Sequence, residues 1–266
     1  ILVIENSDNK DFKFKYEKKY PNLEVILSGS NLGYGAGNNK GINLAKTRYV
    51  LISNPDVIYE NDFFSNLKTY IDRNTDFSII GPIYRSEDYA SHGFFEDLKK
   101  ENSNNDTAVN QNLIKTHWIV GCTMFIDLNK FDNKNLFDEN FFLFFEEFDL
   151  CRRVLNNGGK IFVSKNLYVK HLGHKGSVAV DPNYEKESVF LRSWHWMWSS
   201  FYYYEKNFSY FYALKCMYGK FFRSIIKMIF YRVFYNSIKF KMYHGRVSGI
   251  WNRLIGRKSW YRLKIY

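Results

Sequence analysis

Four short, mainly apolar runs, with helical patterns between them, most constrain how this chain can fold. Residues 1–4, 23–27, 49–53 and 77–80 are mainly apolar, interrupted by Glu24 and Ser78, and each stops at a polar or Gly/Pro-containing turn. Between them lie segments of helical pattern: 12–20, ending before Pro21, the stretch after the Gly/Asn-rich turn to about Lys46, and 61–73. Strands without polar alternation are buried on both faces, and strand–helix repetition builds an α/β sheet with parallel strands. Ligands of such sheets sit beyond the carboxyl ends of the strands. Glu5, Asn31 and Asp56 all fall at or just past such ends.

Beyond this region the pattern loosens. Residues 85–116 are polar and Asn-rich, 118–126 return to strand character, and 146–157 read as a helix stopped by Gly158-Gly159. Residues 161–163 and 167–169 read as short strands that end at His171. A core strand at residue 1 is unusual for a terminus. The expectation is that residues precede Ile1.

With 45% hydrophobic and 20% aromatic residues among 266, the chain has ample material for a core, which excludes a disordered protein. Cys122, Cys151 and Cys216 are widely spaced, form no CxxC pair, and suit a reducing compartment. No signal peptide and no uncharged apolar run of membrane-spanning length is visible.

The net charge of +11 is concentrated at one end. Residues 190–266 hold fifteen Lys and Arg against one acid, Glu205, and five of the six tryptophans. This shift divides the chain into 1–189 and a basic, aromatic, helical extension over 190–266. Within the extension, residues 221–240 mix Phe, Ile, Met and Tyr with Lys220, Arg223 and Lys227 at helical spacing. Such a helix suits an anionic membrane surface, with Trp and Tyr at the headgroups. Packing on the rest of the chain, basic side outward, is the plainer alternative. A nucleic-acid-binding tail is a third reading, and it leaves the acidic residues of the first part without a role.

Three carboxylates, Glu146, Glu147 and Asp149, follow directly on the aromatic run Phe141–Phe145. Carboxylates are disfavoured beside apolar surfaces, so a fold that keeps them there has a use for them as base, metal ligand or buried partner. Glu146, Asp149 and Arg153 share one helix face, and Glu147 turns about 100° away toward Cys151 and Val154. Pairing with Arg152 and Arg153 at a solvated helix start is the plainer reading.

Other candidates are weaker singly. The turn Asn31–Gly41 matches neither the Walker nor the GxGxxG spacing, yet it offers flexible backbone at a helix N-terminus; a ligand turn and a tight connection are equally compatible with it. Asn54-Pro55-Asp56 places a carboxylate just after a strand, within reach of a divalent metal, although turns and helix caps use Asp often. His171 and His174 form an HxxH pair, and His171 closes a strand.

Taken in order, these segments resemble family 2 glycosyltransferases of the GT-A fold, in the rhamnosyltransferase-like branch that builds bacterial surface polysaccharides. Val3–Ser7 is similar to V-V-D-N-S, Asn31–Ile42 to N-x-G-F-x-x-G-x-N-x-G-I, and Asn54-Pro55-Asp56 to the D-x-D or N-P-D position. Gly121–Ile126 resembles G-x-x-M-x-I, residues 137–153 resemble F-D-E-x-F-F-x-Y-x-E-D-x-D-L-x-x-R, and Val169–Ser177 resembles V-x-H-x-x-G-x-S.

The resemblance implies a Rossmann-like, mostly parallel sheet flanked by helices, with the helical extension after it. It implies that the residues expected before Ile1 form a strand and a helix, without which the chain alone is weakened. It implies an inverting transfer of a sugar, suggested by the branch to be rhamnose from dTDP-rhamnose, to a glycan or lipid-linked glycan. Glu5 would meet the nucleotide base, and Asn31, Gly33, Gly37 and Asn39 the nucleoside and ribose. Asn54 and Asp56 would face the diphosphate. Asp56 with His171 would hold Mg2+ or Mn2+, Trp118 and Gly121 would line the sugar or acceptor pocket, and Glu147 would be the base, with Glu146 and Asp149 as rivals. Glu5 and Glu147 each stand where the pattern has Asp. A non-catalytic transferase fragment is the remaining alternative. The enzyme would be cytoplasmic, peripheral on the inner face of the cytoplasmic membrane, with no nucleic-acid partner.

Overall fold

The computed structural model describes residues 1–84, 112–172 and 184–262. His174 and Ser177, singled out above, lie outside the described residues, as does most of the polar stretch after residue 85. The described residues form two compact units, each assembled from separated pieces of sequence.

The first unit gathers residues 1–37, 137–146 and 184–262. Its sheet is a parallel pair, β1 (Leu2–Glu5) and β2 (Glu24–Leu27), with Leu2 opposite Glu24 and Glu5 opposite Leu27. Helix α1 (Lys10–Lys19) connects them. Asn9 caps it by accepting from the Phe12 amide at 2.9 Å, which satisfies an otherwise orphaned N–H. The backbone of Val25 points away from β1, and α1 answers it. Lys13 Nζ donates to the Val25 carbonyl at 2.7 Å, and the Val25 amide donates to Glu17 Oε1 at 2.8 Å. The first turn of α2 (Tyr34–Leu44) also belongs here.

The C-terminal part of this unit is helical: α5 (Glu185–Asn207), α6 (Tyr210–Val233) and α7 (Ser237–Leu254). Met197, Phe201, Ala213, Met217 and Ile250 form their shared core. Helix α7 crosses α5 at backbone distance. A Cβ at Gly249 would stand 2.3 Å from the Trp194 carbonyl oxygen, so only glycine fits. Trp194 donates to Ser248 Oγ at 3.1 Å and Trp198 to the Arg257 carbonyl at 2.9 Å, which satisfies both buried indoles. The amphipathic stretch read over 221–240 is not one helix. It breaks at Phe234–Asn236, where Tyr235 takes φ 52° and Asn236 caps α7.

The second unit holds residues 38–84, 112–136 and 147–172. Its sheet comprises β3 (Tyr49–Ser53), β4 (Val57–Tyr59), β5 (Ile79–Tyr84), β6 (Leu113–Lys115), β7 (Thr123–Asp127) and β8 (Ile161–His171). The order is β3-β7-β5-β8-β4, with β6 also on β8. The α/β expectation holds, and the sheet is mixed: β5 and β8 run parallel, whereas β7 lies antiparallel between β3 and β5, and β8 pairs antiparallel with β4 and β6. The two short strands read at 161–169 are one strand, and its irregularity is absorbed where the register slips between Pro82 and Ile83.

Helix α3 (Phe63–Asp72) lays Phe63, Leu67 and Tyr70 into the core with Phe77, Ile80, Phe125, Phe162, Leu167 and Val169. Arg48 grips Asp127 by two parallel bonds of 3.0 and 2.7 Å, which neutralises a carboxylate sealed at the end of β7. Helix α4 (Glu146–Asn156) starts at the end of the first unit and continues in the second.

Candidate active site

In the first unit, the strand end and the glycine turn are organised by Asn6. Its amide Nδ2 donates to Asn31 Oδ1 at 3.2 Å and to the Gly33 carbonyl at 3.1 Å, and its Oδ1 accepts the Leu32 amide at 2.9 Å. Asn31 in turn accepts the Gly33 amide at 3.0 Å. Sequence reasoning gave Asn6 no role, though its place beside Glu5 in the strand-end motif was the available signal. Glu5 accepts from the Ser7 hydroxyl at 2.6 Å. Gly33 sits at φ +89°, and a Cβ there would meet the Phe142 carbonyl oxygen at 2.3 Å. The Tyr34 amide, opening α2, donates to that same carbonyl at 3.0 Å. Gly37 faces the Asn6 side chain.

The segment before α4 is held by α5. Ser199 Oγ donates to the Leu143 carbonyl at 2.9 Å, and Asp138 accepts from Tyr202 at 3.0 Å and from Lys206 at 2.7 Å. His195 lies 4.7 Å from the Phe142 ring and the Arg262 guanidinium 3.6 Å from its centroid. Burial drives the His195 pKa down to about 3, so the ring is neutral, and it bonds the Tyr261 carbonyl at 2.8 Å. Phe144 and Phe145 take φ 69° and 72°, left-handed values that cost an aromatic residue about 1–3 kcal/mol each. The chain turns there and enters α4 at Glu146, which is buried beside the Gly35 position.

In the second unit, three separated segments converge. Asp56, 8% exposed in the turn between β3 and β4, lies with Oδ1 3.3 Å from His171 Nε2. The pairing is built by the sheet. His171 is in register with Val57, and the Leu172 amide donates to the Asp56 carbonyl at 2.9 Å. Asn54 is anchored by its own amide, which donates to the Cys122 carbonyl at 2.9 Å.

Cys122 reports on both carboxylates. Burial pushes its thiol up to about 12, a hydrogen bond with Tyr84 opposes this, and the charges of Asp56 and Glu147 add to the rise. Asp56 and Glu147 therefore lie within electrostatic reach of one sulfur. Tyr84, at the end of β5, reaches the Val120 and Thr123 carbonyls at 3.2 and 3.3 Å, fixing the turn around Cys122. Nothing local in the sequence marks Tyr84 or Cys122 for this place.

Glu147 keeps some solvent contact as a residue, but its Oε2 is sealed off and has no hydrogen-bond partner among the described residues. Burial raises its pKa from 4.5 to about 7, opposed by a backbone hydrogen bond at the helix start. That is the range in which a carboxyl group can exchange protons at neutral pH. Asp149 is occupied differently: fully buried, it accepts from Arg153 Nε at 2.8 Å, and Arg153 also binds the Leu136 carbonyl. Trp118 stacks on Phe148 of α4 at 4.6 Å, beside Glu147, and Ile119, Gly121 and Cys122 are buried after it. Asn39 is buried in α2, its carbonyl accepting from Asn43 at 3.0 Å.

The sequence-derived candidates thus fall into two groups. Glu5, Asn31, Gly33 and Gly37 lie in the first unit, with Glu146 at its boundary. Asn39, Asn54, Asp56, Trp118, Gly121, Glu147, Asp149 and His171 lie in the second. Among the described residues no three His, Cys, Asp or Glu side chains gather as metal ligands, so Asp56 and His171 stand as a pair. An open cavity of about 400 Å³, lined by Lys46, Arg48, Phe131 and Lys134 among others, lies elsewhere in the second unit and holds none of the candidates.

The fold is that of GT-A glycosyltransferases. It matches the mannosyltransferase PcManGT from Pyrobaculum calidifontis, in complex with GDP-Man and Mn2+, with a TM-score of 0.53 and 9% identity over 95% of this chain and 77% of that one. Residues 2–134 match the Glycosyl transferase family 2 profile, and the chain belongs to that family. It is a glycosyltransferase. It is 23% identical to Rhamnosyltransferase WbbL of Escherichia coli (strain K12) over 224 residues, covering 74% of this chain and 78% of the relative. It is also 23% identical over 235 residues to the N-acetylglucosaminyl-diphospho-decaprenol L-rhamnosyltransferase of Mycobacterium tuberculosis, covering 74% and 76% of the two chains.

Proposed function

We propose that the chain transfers a hexose, with inversion, from a nucleotide-sugar donor to a hydroxyl of a glycan or lipid-linked glycan during surface polysaccharide synthesis. One observation carries this reading. A partly sealed carboxyl group poised to titrate near neutrality, Glu147, and a carboxylate–imidazole pair, Asp56–His171, both serve one compact unit around Cys122. The rhamnosyltransferases among the relatives make rhamnose from a dTDP donor the first choice to test.

In the reaction, Glu147 takes the proton of the acceptor hydroxyl while that oxygen attacks the anomeric carbon. The bond from that carbon to the diphosphate oxygen breaks, and the nucleoside diphosphate leaves with the bonding pair. Asp56 and His171 would hold a divalent ion, the carboxylate suiting Mn2+ or Mg2+ and the imidazole favouring Mn2+. Such an ion would supply positive charge to stabilise the departing diphosphate. Asn54 faces the same end, and Glu5, Asn31, Gly33, Gly37 and Asn39 take the nucleoside. Trp118 and Gly121 line the sugar pocket. Asp149 is held by Arg153, and Glu147 is preferred over it and over Glu146 as the base.

We assign the chemistry to residues 1–189 and attachment to the extension over 190–266, whose helices share a compact unit with β1, β2 and residues 137–146. Helix α6 supports a seat on an anionic membrane surface. It exposes Phe211, Ile226 and Val233 beside Lys215, Lys220, Arg223 and Lys227. No helix among the described residues is long and apolar enough to cross a membrane. The place proposed is the inner face of the cytoplasmic membrane.

The deciding experiment is nucleotide-sugar turnover with and without EDTA. Glu147→Gln should leave donor affinity within threefold of wild type and lower transfer by about 10²–10⁴. Asp56→Ala should abolish the effect of EDTA on donor affinity. Full transfer by Glu147→Gln removes the base assignment, and an Asp56→Ala protein that still responds to EDTA removes the metal assignment.

A further inference from the structure

The hairpin of α6 and α7 runs past the core that holds its base. Met217 and Ile250 sit in that core, Ser224 is the last buried residue of α6, and Tyr243 is the first of α7. None of residues 225–242 between them is buried. The chain reverses at Phe234–Asn236, and Tyr231 stacks on Tyr243 across the hairpin at 5.5 Å. Ile229, Val233 and Phe234 are 57–64% exposed and Tyr235 94%, with Phe230 and Ile238 exposed beside them. Successive helical residues step round the axis by about 100°, so Ile229, Phe230 and Tyr231, followed by Val233, make the end of α6 apolar around much of its circumference. A helix of that kind ordinarily lies inside a protein or a membrane, and an exposed apolar cluster marks a surface for a partner.

The charges around this end select the partner. No Asp or Glu follows Glu205 in the sequence. Lys227 lies over the Tyr243 ring at 5.3 Å, Arg232 over Phe240 at 5.5 Å and Lys239 over Tyr231 at 5.1 Å, so three cations surround the hairpin near its tip. Lys241, further along α7, reaches Glu187 at 3.8 Å. We propose that the hairpin tip, residues 229–238, inserts into the headgroup–acyl boundary of an anionic bilayer. This rests on the reading of α6 as a membrane seat and names the part that enters, the end of the hairpin and not the length of one helix. From Ile229 to Val233 α6 rises about 6 Å, which fits the depth of about 5–10 Å to which an apolar element sinks into that boundary. Lys and Arg beside the tip keep their charged heads among anionic headgroups while their stems lie on apolar surroundings, and tyrosine suits the same level. A second copy of this chain fits less well, because packing tip to tip would bring like charges together.

The test uses the full chain with vesicles of phosphatidylglycerol and phosphatidylethanolamine, and vesicles of phosphatidylcholine as the zwitterionic comparison. Wild type should co-sediment with the anionic vesicles about tenfold more strongly or better. On a Cys216→Ser background, which leaves the buried Cys122 and Cys151 as the native thiols, Tyr235→Cys takes a nitrobenzoxadiazole label. Its emission should shift to the blue on binding and be quenched by lipids spin-labelled near the headgroup. Val233→Ser combined with Phe234→Ser should weaken vesicle binding about tenfold or more. Phe211→Ser, which removes an 80% exposed ring at the other end of α6, should leave binding within about twofold. Far-UV circular dichroism verifies folding of each variant. A label that stays unshifted and unquenched on bound protein, or a loss in Phe211→Ser as large as in the double variant, overturns the inserted tip and leaves α6 as the seat. Failure of wild type to bind anionic vesicles removes tip and seat together. Dimers in sedimentation velocity that the double variant dissolves, with vesicle binding unchanged, assign the surface to a second copy and overturn the proposal.

Discussion

The chain enters α2 and α4 by the same backbone manoeuvre with opposite residues. Before Tyr34 the left-handed position is Gly33, at φ +89°; before Glu146 it is a pair of phenylalanines at 69° and 72°. Glycine adopts that region without steric cost, whereas an L-residue with a large side chain does so under strain. The glycine turn is organised by Asn31 within it and by Asn6 at the end of β1, 27 residues before Gly33. The phenylalanine turn needs outside support, and receives it from Ser199 and Trp196 more than fifty residues later in sequence. One solution fixes a backbone cheaply. The other spends strain and obtains two aromatic rings in a defined place.

The sharpest way to break this comparison is Gly33→Ala. The new Cβ would meet backbone, the Phe142 carbonyl, and not a side chain that could swing away. The expected loss is about 3 kcal/mol or more, read from urea midpoints. A loss under about 1 kcal/mol would mean that the turn relaxes and does not require glycine.

A middle-sized effect concerns the first turn of α4. The Glu147 pKa is raised from 4.5 to about 7 in the folded protein, so between these values the folded chain holds a proton that the unfolded chain has lost. Its contribution to stability is thus full below pH 4.5 and is lost as pH rises through 7. Glu147→Gln, which cannot ionise, should raise the melting temperature at pH 8 by several degrees and leave it unchanged at pH 4. An unaltered difference between wild type and variant from pH 4 to 8 would show that the carboxyl group titrates normally.

The smallest effect tests whether the aromatic turn is strained. Phe144→Gly removes left-handed strain and ring packing together, so the two should cancel to within about 1 kcal/mol. A loss beyond about 2 kcal/mol would show that the ring's packing on Trp196 outweighs the strain.

Much of the second unit was legible because its signals are local. Apolar runs marked β3 and the start of β5, and Asp56 and His171 could be placed at strand ends before their pairing was known. Their meeting at 3.3 Å follows from β4 and β8 running antiparallel in one sheet. The burial of Glu147 was foreshadowed by the aromatic run before it. What could not be read was set by distant partners. Tyr84 reaches Cys122 only because β5 and β7 are neighbours, and β7 lies antiparallel in a sheet whose apolar runs carry no mark of strand direction. The left-handed turn at Phe144–Phe145 has no glycine, asparagine or aspartate to announce it, whereas the break at Tyr235 carried a local sign in Asn236, which caps α7.

The pair Lys13 and Glu17 on α1 has a consequence for how copies of this protein behave at high concentration. By occupying the outward carbonyl and amide of Val25, they leave that side of β2 with nothing for a foreign strand to bond at its centre. A two-stranded sheet is otherwise an open template for edge-to-edge aggregation. Here the connecting helix guards the edge with two charges of opposite sign, and replacing both with alanine would offer that edge to other chains.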